Sequence, residues 1–133
     1  MISAALMCLA MNVYHEARSE ESILGQYAVG HVVINRVHSS KWPDDVCSVV
    51  HQGLNKGKHR CQFSWYCDGK SDKPHEELAW ARSLIVADNI LSGKVPDVSR
   101  GSTHYHALYV KPFPYWSKLL EKTMIYGSHK FYK

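Results

Sequence analysis

The segment ISAALMCLAM, residues 2–11, is apolar almost throughout and runs without a break into NVYHEARSEE, residues 12–21. A helix that is apolar on most sides must be surrounded by other elements, so the pattern predicts a central helix over residues 2–17. His15, Glu16 and Arg18 crowd its end. A carboxyl group at the edge of a buried helix is desolvated, and desolvation raises a glutamate from about 4.3 toward the range where it donates protons at neutral pH. The bland alternative is a surface glutamate paired with Arg18 or His15. This stretch alone does not choose between the two.

The remaining pattern predicts a helix-rich α+β domain occupying residues 1–133 as one unit, since 133 residues with 45% hydrophobic content make one core and not two. Ser19 reads as the cap of a second helix, with Glu20 and Glu21 in its first turn and Ile23, Tyr27, Gly30, Ile34 and Val37 on one face. KWPDDVCSVVHQ reads as a short third helix opened by Pro43 and two acids. Residues 53–73 are polar and aperiodic, a long loop of the sort that carries function. A fourth helix follows, with Asp72 as its candidate cap and Gly93 as its stop. Beyond it, short aromatic and β-branched runs broken by glycine and proline predict two or three strands.

The charge of +4 is dispersed along the chain, which argues for solubility and against a nucleic-acid partner. No lysine or arginine precedes the apolar run and no small-residue cleavage site follows it, so it is expected to be a core helix and not a leader. It is also too short to span a bilayer, and no membrane insertion is expected. Cys8, Cys47, Cys61 and Cys67 lack the C-x-x-C spacing of a zinc cluster. Cys8 reads as a small buried hydrophobe, and one pair among the other three would bridge in an oxidising compartment, with no pair singled out.

Outside the helix starts no acid forms a motif with Glu16, so a two-carboxylate glycosidase is not legible but a single-acid mechanism is open. THYH places His104 and His106 on one face of an extended segment and Tyr105 on the other. Two imidazoles at that spacing suit a shared metal only if a third ligand, such as Glu16 or His129, joins them; hydrogen-bonded pocket histidines are the commoner outcome. In CQFSWYCDG, residues 61–69, Gln62, Ser64 and Trp65 interleave amide, hydroxyl and indole. That mixture suits carbohydrate, because a pyranose face packs on indole while its hydroxyls need fixed partners. Ser64 lacks the G-x-S-x-G setting of a nucleophile.

Taken in order, VYHEARSEESILGQYAVGHVVINRV, CQFSWYCDG, GSTHYHALYVKPFPYW and YGSHKFY resemble the cell-wall hydrolases of the SleB and CwlJ spore-cortex-lytic type, from about residue 10 to the C-terminus. The resemblance implies a fold similar to goose-type lysozymes and lytic transglycosylases, and an activity on peptidoglycan glycan strands. The EAR-x-E motif places the catalytic acid on Glu16 and its second glutamate on Glu20. It implies further that His104, Tyr105, His106, Gln62, Ser64 and Trp65 line the glycan cleft and that no cofactor or metal is needed; Gln26, Asn35 and Arg36 also fit the family pattern, Asn35 and Arg36 being read as structural. The chain departs from the pattern at His15, where many relatives have glycine, so His15 is a candidate to perturb the acid or add a contact. A catalytic domain without a visible leader or wall-binding domain resembles a phage lysis enzyme, made in the cytoplasm and acting on the wall after release, or a domain excised from a longer protein. A monomer is expected. The resemblance implies a lytic transglycosylase that cleaves the β-1,4 bond between N-acetylmuramic acid and N-acetylglucosamine and leaves a 1,6-anhydro ring, with Glu16 as acid and then base; a hydrolytic muramidase, or a zinc-dependent amidase or peptidase built on His104 and His106, are the competing expectations.

Overall fold

The computed structural model describes residues 2–133. Four helices, α1 (Ala4–Ala17), α2 (Ile23–Val37), α3 (Val46–Val50) and α4 (Glu77–Leu91), precede a small sheet of β1 (His104–Ala107), β2 (Lys122–Tyr126) and β3 (His129–Tyr132). This is the expected helix-rich α+β arrangement. Single helical turns at Leu54–Lys56, Ser64–Cys67 and Tyr115–Lys118 punctuate the loops.

Helix α1 is central, packed against α2, α3 and α4. Leu9, Ala10 and Val13 are fully buried in a core shared with Val33, Val49, Val50, Val86, Ala87 and Ile90. Each leucine, isoleucine or valine among them contributes about 1.5–3 kcal/mol by leaving water. Gly30 lets α2 come close: a Cβ there would lie 2.5 Å from Ile90 Cδ1 and 3.4 Å from Val13 Cγ2. A second cluster, Ala17, Ala28, Val29, Val32 and Phe131, joins the end of α1 and the face of α2 to the sheet.

The sheet order is β1-β3-β2, all antiparallel, with Tyr105 opposite Phe131 and Tyr126 opposite His129. Gly127, at φ 54°, occupies the left-handed turn of the β2–β3 hairpin.

Several helix starts differ from the sequence reading. Ser3 caps α1, accepting from Leu6 N–H, so the helix begins at Ala4. Ser22, and not Ser19, caps α2 by accepting from Gly25 N–H. The cause is Glu20, whose side chain turns inward and keeps residues 18–22 in a tight corner. Asp72 does not cap α4, which starts four residues later than that cap requires, after Glu76; Glu76 N–H donates instead to the hydroxyl of Tyr14 on α1. Gly93, at φ 75°, follows the end of α4 as expected.

The cysteines form two bridges, Cys8–Cys47 and Cys61–Cys67. Cys8 is therefore not a free core residue: it lies where α1 faces α3, and its partner sits on α3. The second bridge closes the short loop that carries Trp65.

Candidate active site

Glu16 sits in the last turn of α1, half-buried where the helix meets the sheet. Tyr105 on β1 donates its hydroxyl to Glu16 Oε1 at 2.5 Å. Burial raises the Glu16 carboxyl above its ordinary value, and the Tyr105 hydrogen bond and the nearby His129 and Arg36 pull it only part of the way back. The outcome is a carboxyl biased toward keeping its proton. Tyr105 is itself pushed well up, first by burial and then by the adjoining Glu16, so its hydroxyl stays a donor.

Arg36 reaches this region from α2. Its Nε donates to Thr103 O at 2.8 Å, and its guanidinium lies over the rings of Trp42 and Phe63. Asn35 beside it donates to Asp97, Ser99 and Ser102, tying α2 to the loop before β1. Gln26 Nε2 donates to Glu20 O, bracing the α1–α2 corner. All three work as structural ties, and Arg36 adds a buried positive charge toward Glu16.

Glu20 has a different setting from the exposed helix start its sequence suggests. Its side chain is 2% exposed, and Oε1 accepts from Ser128 N–H at 2.9 Å and from His129 Nδ1–H at 3.0 Å. Ser128 Oγ approaches the same oxygen at 3.4 Å, and Ser22 N–H approaches Oε2 at 3.5 Å. Two glycines make room for it: a Cβ on Gly25 would lie 2.8 Å from Glu20 Cγ, and one on Gly127 would collide with Glu20 Oε2. Burial works against the charge, yet the hydrogen bonds from His129, Ser128 and Ser22 outweigh it and hold the carboxyl below its ordinary value. Glu20 is thus a carboxylate tying the α1–α2 corner to the β2–β3 hairpin.

A cavity of about 200 Å³ opens over these groups, lined among others by His15, Glu16, Arg18, Glu20, Tyr109 and His129. A second, of about 380 Å³, shares His15 and Arg18 and continues over Trp65, Lys70, Asp72 and His75. His15 stands at the junction. Its ring stacks on Trp65 with centroids 4.5 Å apart, and its Nε2 bonds Asp72 O at 2.8 Å. Trp65 is buried and donates Nε1–H to Asn12 Oδ1 at 2.9 Å, so its position is fixed from α1.

The residues singled out from the sequence divide into two groups. Glu16, Tyr105, His15, Trp65 and Glu20 come together at the end of α1. His104 and His106 do not: strand alternation turns them away from Tyr105 and into a cluster with Trp116. His106 uses both ring nitrogens, on Ala107 O and on the Tyr132 hydroxyl, and His104 Nδ1 meets Thr103 Oγ1. Burial, then Arg36 and Lys41, lower His104 to about 4. No third ligand gathers with them among the described residues, so the zinc reading lacks a site. Gln62 and Ser64 are exposed and line neither cavity beside Glu16. The residue that sequence reasoning undervalued is His129, considered there only as a distant metal ligand. Its one signal was its place in YGSHKFY.

Comparison with known proteins places this geometry. A family model described as Cell Wall Hydrolase matches residues 20–132. The chain belongs to the cell wall hydrolase family. Within the family it is 34% identical over 100 residues to a spore cortex-lytic enzyme of Halalkalibacterium halodurans. That alignment takes in 75% of this chain but 26% of the relative, so the chain spans only a part of that longer protein. Among solved structures it matches the catalytic domain of the germination-specific lytic transglycosylase SleB from Bacillus anthracis, with a TM-score of 0.71 and 25% identity over 97% of this chain and 93% of that one. The catalytic domain of the Bacillus cereus SleB protein matches with a TM-score of 0.70 and 25% identity, over 100% and 93% of the two chains. The family match covers Glu20, Tyr105 and His129 and begins four residues after Glu16, whereas the structural matches take in the whole or nearly the whole chain.

Proposed function

We propose that this cell wall hydrolase cleaves peptidoglycan glycan strands as a lytic transglycosylase, with Glu16 as its acid and residues 1–133 acting as one catalytic unit. The observation that carries the reading is the Glu16 carboxyl: half-buried, raised above its ordinary value, hydrogen-bonded to Tyr105, and facing a cavity whose other carboxylate, Glu20, is held through Oε1 by Ser128 and His129. A paired-carboxylate glycosidase needs a second carboxylate free to attack C1 or to activate water. Glu20 is committed elsewhere, which favours a reaction in which the sugar supplies its own nucleophile.

In that reaction Glu16 gives its proton to the oxygen linking N-acetylmuramic acid to N-acetylglucosamine, and the C1–O bond breaks through an oxocarbenium-like state. Tyr105 keeps its hydrogen bond to the new carboxylate, which limits the cost of forming an anion in a half-buried site. The muramic C6 hydroxyl then bonds to C1 and loses its proton to a base, closing a 1,6-anhydro ring. The Glu16 carboxylate is competent for that last step, as the resemblance implies. His15 stacked on Trp65, with Arg18 and Tyr109 nearby, offers flat and polar surfaces for the flanking sugars. The two disulfides suit a protein acting at the wall, outside the reducing cytoplasm.

Glu16→Gln keeps shape and hydrogen bonding but has no proton to give. Turbidity loss of purified peptidoglycan should fall by at least about 10³-fold with an unchanged unfolding midpoint, at the upper end of what general acid catalysis supplies. Near-normal clearing by that variant would remove Glu16 from the mechanism.

A further inference from the structure

The Glu20–His129 pair is more than a structural tie. A carboxylate accepts hydrogen bonds only, so the 3.0 Å contact with Glu20 Oε1 places a proton on His129 Nδ1. In the neutral ring Nε2 is then a bare lone pair. Among the described residues Nε2 has no hydrogen-bond partner, while His129 lines the cavity that also holds Glu16. The ring sits edge-on to Tyr105, with centroids 5.7 Å apart, and the Tyr105 hydroxyl is the one bonded to Glu16. A base oriented by a buried carboxylate, with its second nitrogen unpaired and its ring lining the reaction cavity, is the arrangement by which histidine takes protons from hydroxyl groups.

We infer that His129 is the base of the ring-closing step, held by Glu20 with Nε2 toward the substrate, and that Glu16 serves as the acid alone. This rests on the transglycosylase reading and changes only its second proton transfer. Glu16 loses a proton to the departing O4 as C1–O4 breaks. The C6 oxygen bonds to C1, and its proton passes to His129 Nε2. Exchange with water then returns a proton to Glu16 and removes one from His129, so charge and atoms balance over the cycle. Glu20 is the positioning residue. The glycines at 25 and 127 that admit it are the cost in backbone freedom of holding a charged carboxylate behind the imidazole.

The test uses two variants. His129→Asn keeps an amide N–H where Nδ1 donates to Glu20 but has no nitrogen able to take a proton; kcat on purified glycan strands should fall by about 10²-fold or more, with KM and the unfolding midpoint close to wild type. His129→Ala leaves a space for a free base, and added imidazole should restore its turnover in a concentration-dependent manner. Glu16→Gln should gain nothing from imidazole. Wild-type turnover by His129→Asn, or a folded His129→Ala that imidazole fails to rescue, would overturn the assignment of the base. Activity retained by Glu16→Gln would instead overturn the underlying reading of the acid, which keeps the two failures distinct. For Glu20, Glu20→Gln should weaken the hold on the ring: nitrogen NMR of His129 should show the Nδ1–H form in wild type and a mixture of tautomers in the variant. An unchanged tautomer would remove Glu20 as its positioning residue.

Discussion

Replacing Glu20 by glutamine removes a charge from a buried site while preserving its shape. The carboxylate accepts two bonds of good geometry, at 2.9 and 3.0 Å from Ser128 and His129, and two longer ones. A hydrogen bond involving a charged group contributes about 1.5–3 kcal/mol and a neutral one about 0.5–1.5. Losing charge across the two good bonds therefore costs about 2–3 kcal/mol. Part is offset because an anion with a 2% exposed side chain no longer has to be kept from water. The net loss at pH 7 is about 1–2 kcal/mol, or about 4–8 °C in midpoint for a domain of this size. Its pH dependence has a definite sign. The folded carboxyl lies below its ordinary value near 4.5, so its stabilising effect is complete above that value and disappears as pH falls through the lower folded one. Urea unfolding of both proteins from pH 7 down to pH 3 should show the gap between wild type and variant narrow below about pH 4.5 and then close. A gap independent of pH would refute the electrostatic argument, because a packing defect does not titrate.

Other perturbations test neighbouring parts of the account. Gly127→Ala forces a Cβ into left-handed backbone and against Glu20, and should cost about 3 kcal/mol in chemical unfolding. Replacing Cys8 and Cys47 together opens a loop with a sequence separation of 39 and should lower stability by about 4 kcal/mol, against about 2 for Cys61 and Cys67, whose separation is 6. Calorimetry under non-reducing conditions ranks the two. Tyr105→Phe removes the hydrogen bond that lowers Glu16, so the carboxyl should rise further and the alkaline fall in activity should move to higher pH in a pH–rate profile.

At the end of α1 the apolar run made burial legible, but it left Glu16 balanced between a tuned acid and a surface glutamate, and the EAR-x-E resemblance singled the residue out. Tyr105 opposite His104 and His106 was readable from alternation alone, but which face turns to Glu16 depends on how β1 docks against α1, and the chain pattern carries no trace of that. Glu20 was misread for a physical reason. A serine followed by two acids is the common signature of a helix start, and the partners that draw Glu20 inward, Ser128 and His129, lie more than a hundred residues away. Cys8 was misread in the same way, since a cysteine among alanines and leucines looks like any small core residue until α3 brings Cys47 beside it. Long-range pairing decided both positions, and local propensity had no access to it.

The central claim is that Glu16 cleaves the glycan with the sugar's own hydroxyl as nucleophile. Mass spectrometry of the fragments released from purified peptidoglycan tests it most directly. The account predicts muropeptides ending in 1,6-anhydro-N-acetylmuramic acid, released equally with and without a chelator and absent with Glu16→Gln. Fragments with free reducing ends, or release of stem peptides that stops when chelator is added, would contradict it.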